Sequence, residues 1–177
     1  ADNNETFTLT ATNTGTSGAT GTATIKDDGT GTKWSFTGNT DSGTSSTGPG
    51  STFDDDRALT VTSPTVNEGS PYVVFTVGGV ANQYVKLGLS DGTALIDANG
   101  TQVLDGTEDY GPALQYFDGT AWQNYTANSY VQIPNGGTTL LVRTVIVNDT
   151  AADNGQTFKL TATNTGGTGT DGTATIK

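Results

Sequence analysis

The chain of 177 residues contains no cysteine, histidine or methionine, only seven Lys and Arg, and five prolines. Each shortage removes a class of structure or chemistry. Without cysteine there are no disulfides, no thiol nucleophile and no Cys/His zinc site. Seven basic against 18 acidic residues leave a net charge of −11. A protein that grips nucleic acid needs a Lys/Arg face, which this balance does not supply. No apolar run approaches membrane-spanning length, and no signal peptide opens the sequence, as expected of an internal fragment. What is abundant is threonine, carboxylate and glycine, the last at 25 residues. A secreted module without disulfides needs another staple, and the carboxylates point to a hard cation such as calcium.

The sequence also repeats itself. "TFTLTATNTG" at Thr6–Gly15 returns as "TFKLTATNTG" at Thr157–Gly166, and Ala1–Lys26 aligns without a gap on Ala152–Lys177 at a shift of 151, with 19 of 26 positions identical. A repeat at both ends of one long unit implies a window on a tandem array whose period has the size of a domain. Within the repeat, Phe7, Leu9 and Ala11 alternate with Thr6, Thr8, Thr10 and Thr12, which predicts a half-buried strand. A Gly/Thr/Ser turn region and "TATI" follow, so the two runs predict a β-hairpin. In the second copy Phe158, Leu160, Ala162, Ala174 and Ile176 are predicted to face inward.

Between the hairpins, residues 27–56 are rich in Gly, Ser, Thr and Asp and are expected to be a linker between modules. Then come "ALTVTS", "YVVFTVGG", "QYVKLGLS", "ALQYF", "WQNYT", "YVQIP" and "TLLVRTVIV", each a short Val-, Leu-, Tyr- or Thr-rich run bounded by turn residues. Together with the closing hairpin they predict an all-β, antiparallel, immunoglobulin-like sandwich over residues 57–177. "FDGTAW" at Phe117–Trp122 is the strongest local hairpin signal. One sandwich body and two closing hairpins leave the hairpin of residues 1–26 surplus. A lone hairpin is only marginally stable in water, so it is expected to belong to the preceding repeat, or to pack on a neighbouring copy by strand addition or swap.

Five landmarks in order carry a family resemblance: "TVNEGSPYVVFTV" at Thr65–Val77, "LSDGTA" at Leu89–Ala94, "DGTEDYG" at Asp105–Gly111, "IVNDTAADNGQTFKLTATN" at Ile146–Asn164, and "GTATIK", followed in the first copy by "DDG" at Asp27–Gly29. They resemble a Calx-beta domain, and more narrowly the tandem Calx-beta-like repeats of giant bacterial surface adhesins. The likeness covers Ala58–Lys177 and Ala1–Gly29. The segment "LIDANGTQVLDGT" at Leu95–Thr107 and the hairpin around Gly119 lengthen the middle beyond the usual pattern. The resemblance implies that Glu68, Asp91, Asp109 and Asp149 gather at one tip around Ca²⁺, with the aspartates that follow the last strand. In the first copy those are Asp27 and Asp28. Chain parity agrees for Glu68, Asp91 and Asp149, since successive loops of an antiparallel sandwich alternate between its ends.

Plainer readings stand beside these. Asp-Gly pairs form turns without any metal. Asp54–Asp56 could cap the next module or be a solvated charge run. Glu108 and Asp109 could be imagined as a glycosidase pair, but no cleft motif accompanies them and no catalysis is expected. Outward Thr arrays and the aromatics Trp34, Trp122, Tyr116 and Tyr125 could hold ice or carbohydrate, although Thr is simply favoured on solvated strand faces. The expectation is therefore a structural extender repeat of a calcium-stiffened, extracellular adhesive fibre. The alternative is a ligand-binding module that uses those Thr or aromatic faces.

Overall fold

Alternation of apolar and polar positions carries through into the backbone. In the computed structural model the described residues are 3–35, 44–97, 108–149 and 154–177, and their regular elements are strands. The N-terminal repeat forms β1 (Thr6–Thr12) and β2 (Gly18–Thr24), followed by a short pair, β3 (Thr32–Ser35) and β4 (Thr44–Thr47). The body is built from β5 (Thr60–Val61), β6 (Thr65–Val66), β7 (Tyr72–Gly78), β8 (Tyr84–Asp91), β9 (Gln115–Phe117), β10 (Trp122–Asn124), β11 (Tyr130–Gln132) and β12 (Thr139–Val145). The second repeat closes it as β13 (Thr157–Asn164) and β14 (Gly169–Ile176).

Two five-stranded sheets, in the orders β10-β9-β12-β7-β5 and β11-β8-β13-β14-β6, form an immunoglobulin-like sandwich. Pairing is antiparallel except where β14 meets the two-residue β6 in parallel. Every second side chain points between the sheets: Val73, Phe75 and Val77 of β7, Leu140 and Val142 of β12, Val85 and Leu87 of β8, and Phe158, Leu160 and Ala162 of β13. Phe158 stands edge-on to Phe75 of the opposite sheet, with centroids 6.0 Å apart. Its other side stacks on Tyr110 at 3.9 Å. Thr144 is the polar exception on β12; its hydroxyl donates to the carbonyl of Gly111 at 2.7 Å and so pins the crossover into β9.

The two copies of the repeat fold alike and are buried differently. Phe7 pairs with Ala23 as Phe158 pairs with Ala174. Yet Phe158 and Leu160 are fully buried, whereas Phe7 and Leu9 are 59% and 70% exposed. The stretch 27–56, expected from its composition to be a linker between modules, has structure of its own. It holds the β3–β4 pair, a bridge between Asp28 and Asp55, and the buried Phe53. Its hydrogen bonds run to residues far along the chain, which a window-by-window reading of composition does not register. Residues 36–43 of that stretch and 98–107 of the lengthened middle segment lie outside the described residues.

Burial separates the two phenylalanines experimentally. Phe158→Ala is expected to cost about 3–5 kcal/mol through lost burial and a cavity. Phe7→Ala should change the stability of the body by less than about 0.5 kcal/mol, as at exposed positions generally. Urea titration followed by tryptophan fluorescence compares them.

Candidate functional site

The sandwich has two tips, and the candidate residues divide between them. At one tip lie the turn 67–71, the end of β8, the segment after β12 and the end of β14. Glu68 sits here with its N–H bonded to the carbonyl of Lys177 at 2.9 Å. One carboxylate oxygen of Glu68 accepts the N–H of Asp149 at 3.0 Å. Asp91 ends β8, and its Oδ1 accepts the Tyr110 hydroxyl at 2.6 Å and the N–H of Ile96 at 3.2 Å. Asp109 is buried, with Oδ2 accepting the N–H of Leu95 at 2.6 Å. Its carbonyl accepts the N–H of Val147 at 3.0 Å, which ties this group to the strand leading to Asp149.

The four acidic residues implied by the resemblance are thus collected at one end, as two hydrogen-bonded groups and not as a common shell. Calcium takes six to eight oxygens at about 2.3–2.6 Å. Among the described residues no three acidic side chains converge so as to hold a metal ion, so the arrangement as it stands does not fit such a site. The carboxylate of Asp109 is buried and engaged by the N–H of Leu95. Asp97, which lies in the lengthened middle segment and was not singled out in the sequence, is also buried here, its N–H on the carbonyl of Tyr110 at 2.8 Å. A sequence signal for it is weak, because Asp-Ala-Asn-Gly reads as an ordinary turn.

Burial and the bond to Asp91 push the Tyr110 hydroxyl well above the usual phenol range, so it remains a donor at neutral pH. The carboxylate is held in place by that donor, and the phenol ring by its stack on Phe158. Packing in the core therefore sets where Asp91 sits.

The opposite tip holds Asp27 and Asp28, brought there by the preceding segment. Asp28 Oδ1 accepts the Thr30 N–H at 3.1 Å and the Thr30 hydroxyl. Its Oδ2 accepts the Asn3 amide at 3.0 Å. The Thr30 hydroxyl bond is the main reason the acid is lowered below the usual carboxylate range, with burial opposing. The Asp27 carbonyl accepts the N–H of Asp56 at 2.9 Å, and the carbonyl of Asp54 accepts the N–H of Gly29 at 2.7 Å.

Within the triple Asp54–Asp56, Asp54 is exposed, but Asp55 is not a solvated charge. Asp55 is 2% exposed. It forms a two-pronged ion pair with Arg57, Nε to Oδ1 at 2.8 Å and a terminal nitrogen to Oδ2 at 2.5 Å. That bond is also the chief reason the guanidinium is raised above its ordinary value. Gln83, fully buried, donates to the carbonyl of Arg57 at 2.7 Å, and the Asn164 amide reaches the same oxygen at 3.2 Å. Asp54 and Asp56 flank the β13–β14 turn so closely that a Cβ on Gly166 would lie 1.8 Å from Asp56 Oδ1. Beside this junction a groove of about 670 Å³ is lined by Ile25, Lys26, Lys33, Phe53 and Asp54 among others.

The aromatic surface is occupied by the protein itself. The Arg143 guanidinium lies 4.0 Å from the Tyr72 ring centre and 4.1 Å from that of Trp122. Tyr125 donates to the carbonyl of Ser129 at 2.7 Å and accepts the N–H of Leu87 at 3.0 Å. Trp34 is exposed.

Comparison with known protein families and with characterised proteins finds no match. Among solved structures the chain is similar to the crystal structure of an apo-form Calx CBD1 domain. Identity is 14% and the TM-score 0.41, over 67% of this chain and 95% of that one. It is also similar to the archaellum periplasmic stator protein FlaG from Sulfolobus acidocaldarius, at 10% identity and a TM-score of 0.30, over 66% and 98% of the two chains. No helix among the described residues is long and apolar enough to cross a membrane.

Two outcomes follow from these contacts. Asp55→Ala strands a partly buried guanidinium and is expected to cost roughly 3 kcal/mol, read by thermal unfolding, whereas Asp54→Ala has a smaller effect. With pH, the depressed carboxyls of Asp28, Asp118 and Asp171 contribute stability that is present above about 3.9, their unfolded value, and lost as pH falls through their folded values. The raised phenols of Tyr110 and Tyr125 act oppositely, their contribution being lost as pH rises beyond about 10. The melting temperature should therefore be flat between about pH 5 and 9 and fall below and above that window.

Proposed function

We propose that this module is a structural extender: one sandwich in an end-to-end series within an extracellular, adhesive fibre at a cell surface or in secreted form. One observation carries the reading. The chain approaches the body at one tip, through a segment anchored by Asp55, Arg57, Gln83 and Asn164, and its last strand runs to the opposite tip, where Lys177 is bonded to the turn at Glu68. A module with its two connections at opposite ends lengthens a chain. The Asp28–Asp55 bridge and the paired β3–β4 segment give the connection a fixed course, and an ordered joint transmits direction in a way that a random coil of Gly and Ser does not.

Calcium belongs to this proposal at the Lys177 tip. Lys26 corresponds to Lys177 in the repeat, so residues equivalent to Asp27 and Asp28 would arrive beside Glu68 in a repeating chain. They would add carboxylate to the side where Glu68 and Asp149 already meet, and Asp91 and Asp109 lie at the same tip. A ligand bound only to the folded, closed joint stabilises it by mass action. The resident residues hold the tip together; no reaction is assigned to it.

The second reading, a Thr face that orders ice or sugar, has one observation in its favour. Thr6, Thr8 and Thr10 stand directly opposite Thr24, Thr22 and Thr20 on the exposed β1–β2 pair. Against an aromatic sugar platform stands Arg143, which already lies over Tyr72 and Trp122.

The test is thermal unfolding of the chain extended past Lys177 by Asp-Asp-Gly, in calcium and then in chelator. A rise of several degrees in calcium, lost in Glu68→Gln, is expected. An unchanged melt removes calcium from the proposal. Binding in a glycan array or ice-shaping assay moves the function to the threonine face.

A further inference from the structure

The apolar face of β1–β2 has a counterpart that is buried in the same molecule. In β13–β14 that face is fully used. β13 pairs along its length with β8, from Phe158 opposite Asp91 to Asn164 opposite Val85. β14 pairs in parallel with Thr65 and Val66 of β6, and Phe158, Leu160, Ala174 and Ile176 lie in the core. In β1–β2, among the described residues, both outer edges lack a partner strand, and Phe7, Leu9 and Ile25 are exposed.

The two hairpins share their turn geometry, as closing the same hairpin requires, and share glycines that only the second copy needs. The left-handed positions Asn4 and Thr16, at φ 77° and 69°, match Gly155 and Gly167, at 97° and 89°. At Thr16 and Gly167 this conformation closes the turn itself, the N–H donating to the carbonyl of Asn13 at 3.1 Å and of Asn164 at 3.2 Å. Gly172 is required in its own setting: a Cβ would lie 2.2 Å from the carbonyl oxygen of Thr62, where the β5 segment crosses the hairpin. Its equivalent Gly21 faces open space, with nothing within 4 Å. Gly166 is likewise pressed against Asp56, while the nearest atom to a Cβ on Gly15 is Asn13 Oδ1 at 3.4 Å.

We infer that β1–β2 is the closing hairpin of a second sandwich body built like residues 57–149 and joined directly ahead of residue 1. That body's β8-like strand lies along β1, its β6-like strand along the end of β2, and its β5-like segment across Gly21. The inference rests on the tandem-module reading above and deepens it by naming the occupant and its register. The outward residues fit the same placement. Thr8 and Thr20 stand where Lys159 and Asp171 form a surface ion pair at 3.5 Å in the other copy, whereas on the inward side Phe7, Leu9, Ala11, Gly21, Ala23 and Ile25 match Phe158, Leu160, Ala162, Gly172, Ala174 and Ile176, with Ala19 in place of Thr170 as the one change there.

The experiment joins residues 57–151 directly ahead of residue 1 of the full chain. By the 151-residue shift, this restores the connection found between residues 151 and 152. Amide hydrogen exchange is measured at Phe7 and Leu9. The expected result is slowing by at least about a hundredfold relative to the 177-residue chain, towards the rates of Phe158 and Leu160. Leu9→Asp should abolish this protection and unfold the added body alone, leaving Phe158 and Leu160 protected. Thr8→Lys, which copies the second repeat, should change neither. Unchanged exchange at Phe7 and Leu9 overturns the inference. So does protection that appears in the 177-residue chain alone as its concentration rises, since the occupant is then a second copy. Solution scattering of the same protein reads the extender proposal separately: protected amides with freely jointed modules would sink that proposal and leave this inference standing.

Discussion

The stack of Tyr110 on Phe158, with Phe75 edge-on behind it, joins three parts of the molecule through one contact in the core. Phe158 belongs to one sheet, Phe75 to the other, and Tyr110 to the irregular crossover between β8 and β9. Aromatic pairs contribute beyond their buried area, and here the third ring has a polar end. Its hydroxyl reaches Asp91, so a contact in the middle of the core fixes a carboxylate at the tip. The position of the acidic group is thus a consequence of hydrophobic packing, and the tip keeps its shape through bonds within the chain.

Much of this architecture was legible because its signals are local. The seven apolar runs became β5 and β7–β12, and the inward residues of the second repeat are those that alternation selects. Asp118 and Gly119 turn the β9–β10 hairpin, with Gly119 in the left-handed region. The common tip of Glu68, Asp91 and Asp149 followed from counting strands alone. Whether their oxygens converge depends instead on the paths of backbone N–H groups at Leu95, Ile96 and Asp149, which no spacing encodes. Asp55 looked like one of three solvated charges because its burial depends on Gln83 and Asn164, far along the chain. A cross-strand aromatic partner for Trp122 was legible in the hairpin and is Phe117, at 5.6 Å; Arg143 was not, because it reaches the ring only after β12 has paired with β9.

Asymmetry between the copies of the repeat says most about the module's role. The sequence of β1–β2 satisfies constraints that its surroundings do not impose, whereas its solvent face has lost the ion pair present in β13–β14. This asymmetry supports the proposed placement of β1–β2 against a second body.

The Gly166 turn also has a bearing on the order in which such a chain becomes rigid. Asp54–Asp56, through which the chain reaches the sandwich, rest on a turn made of residues near its far end in sequence. A polypeptide synthesised or exported from its N-terminus cannot close that contact until β13 and β14 have emerged. If the module is an extender as proposed, each joint would stay slack until the last strands of the module beyond it had formed, and a growing series would stiffen one finished domain at a time.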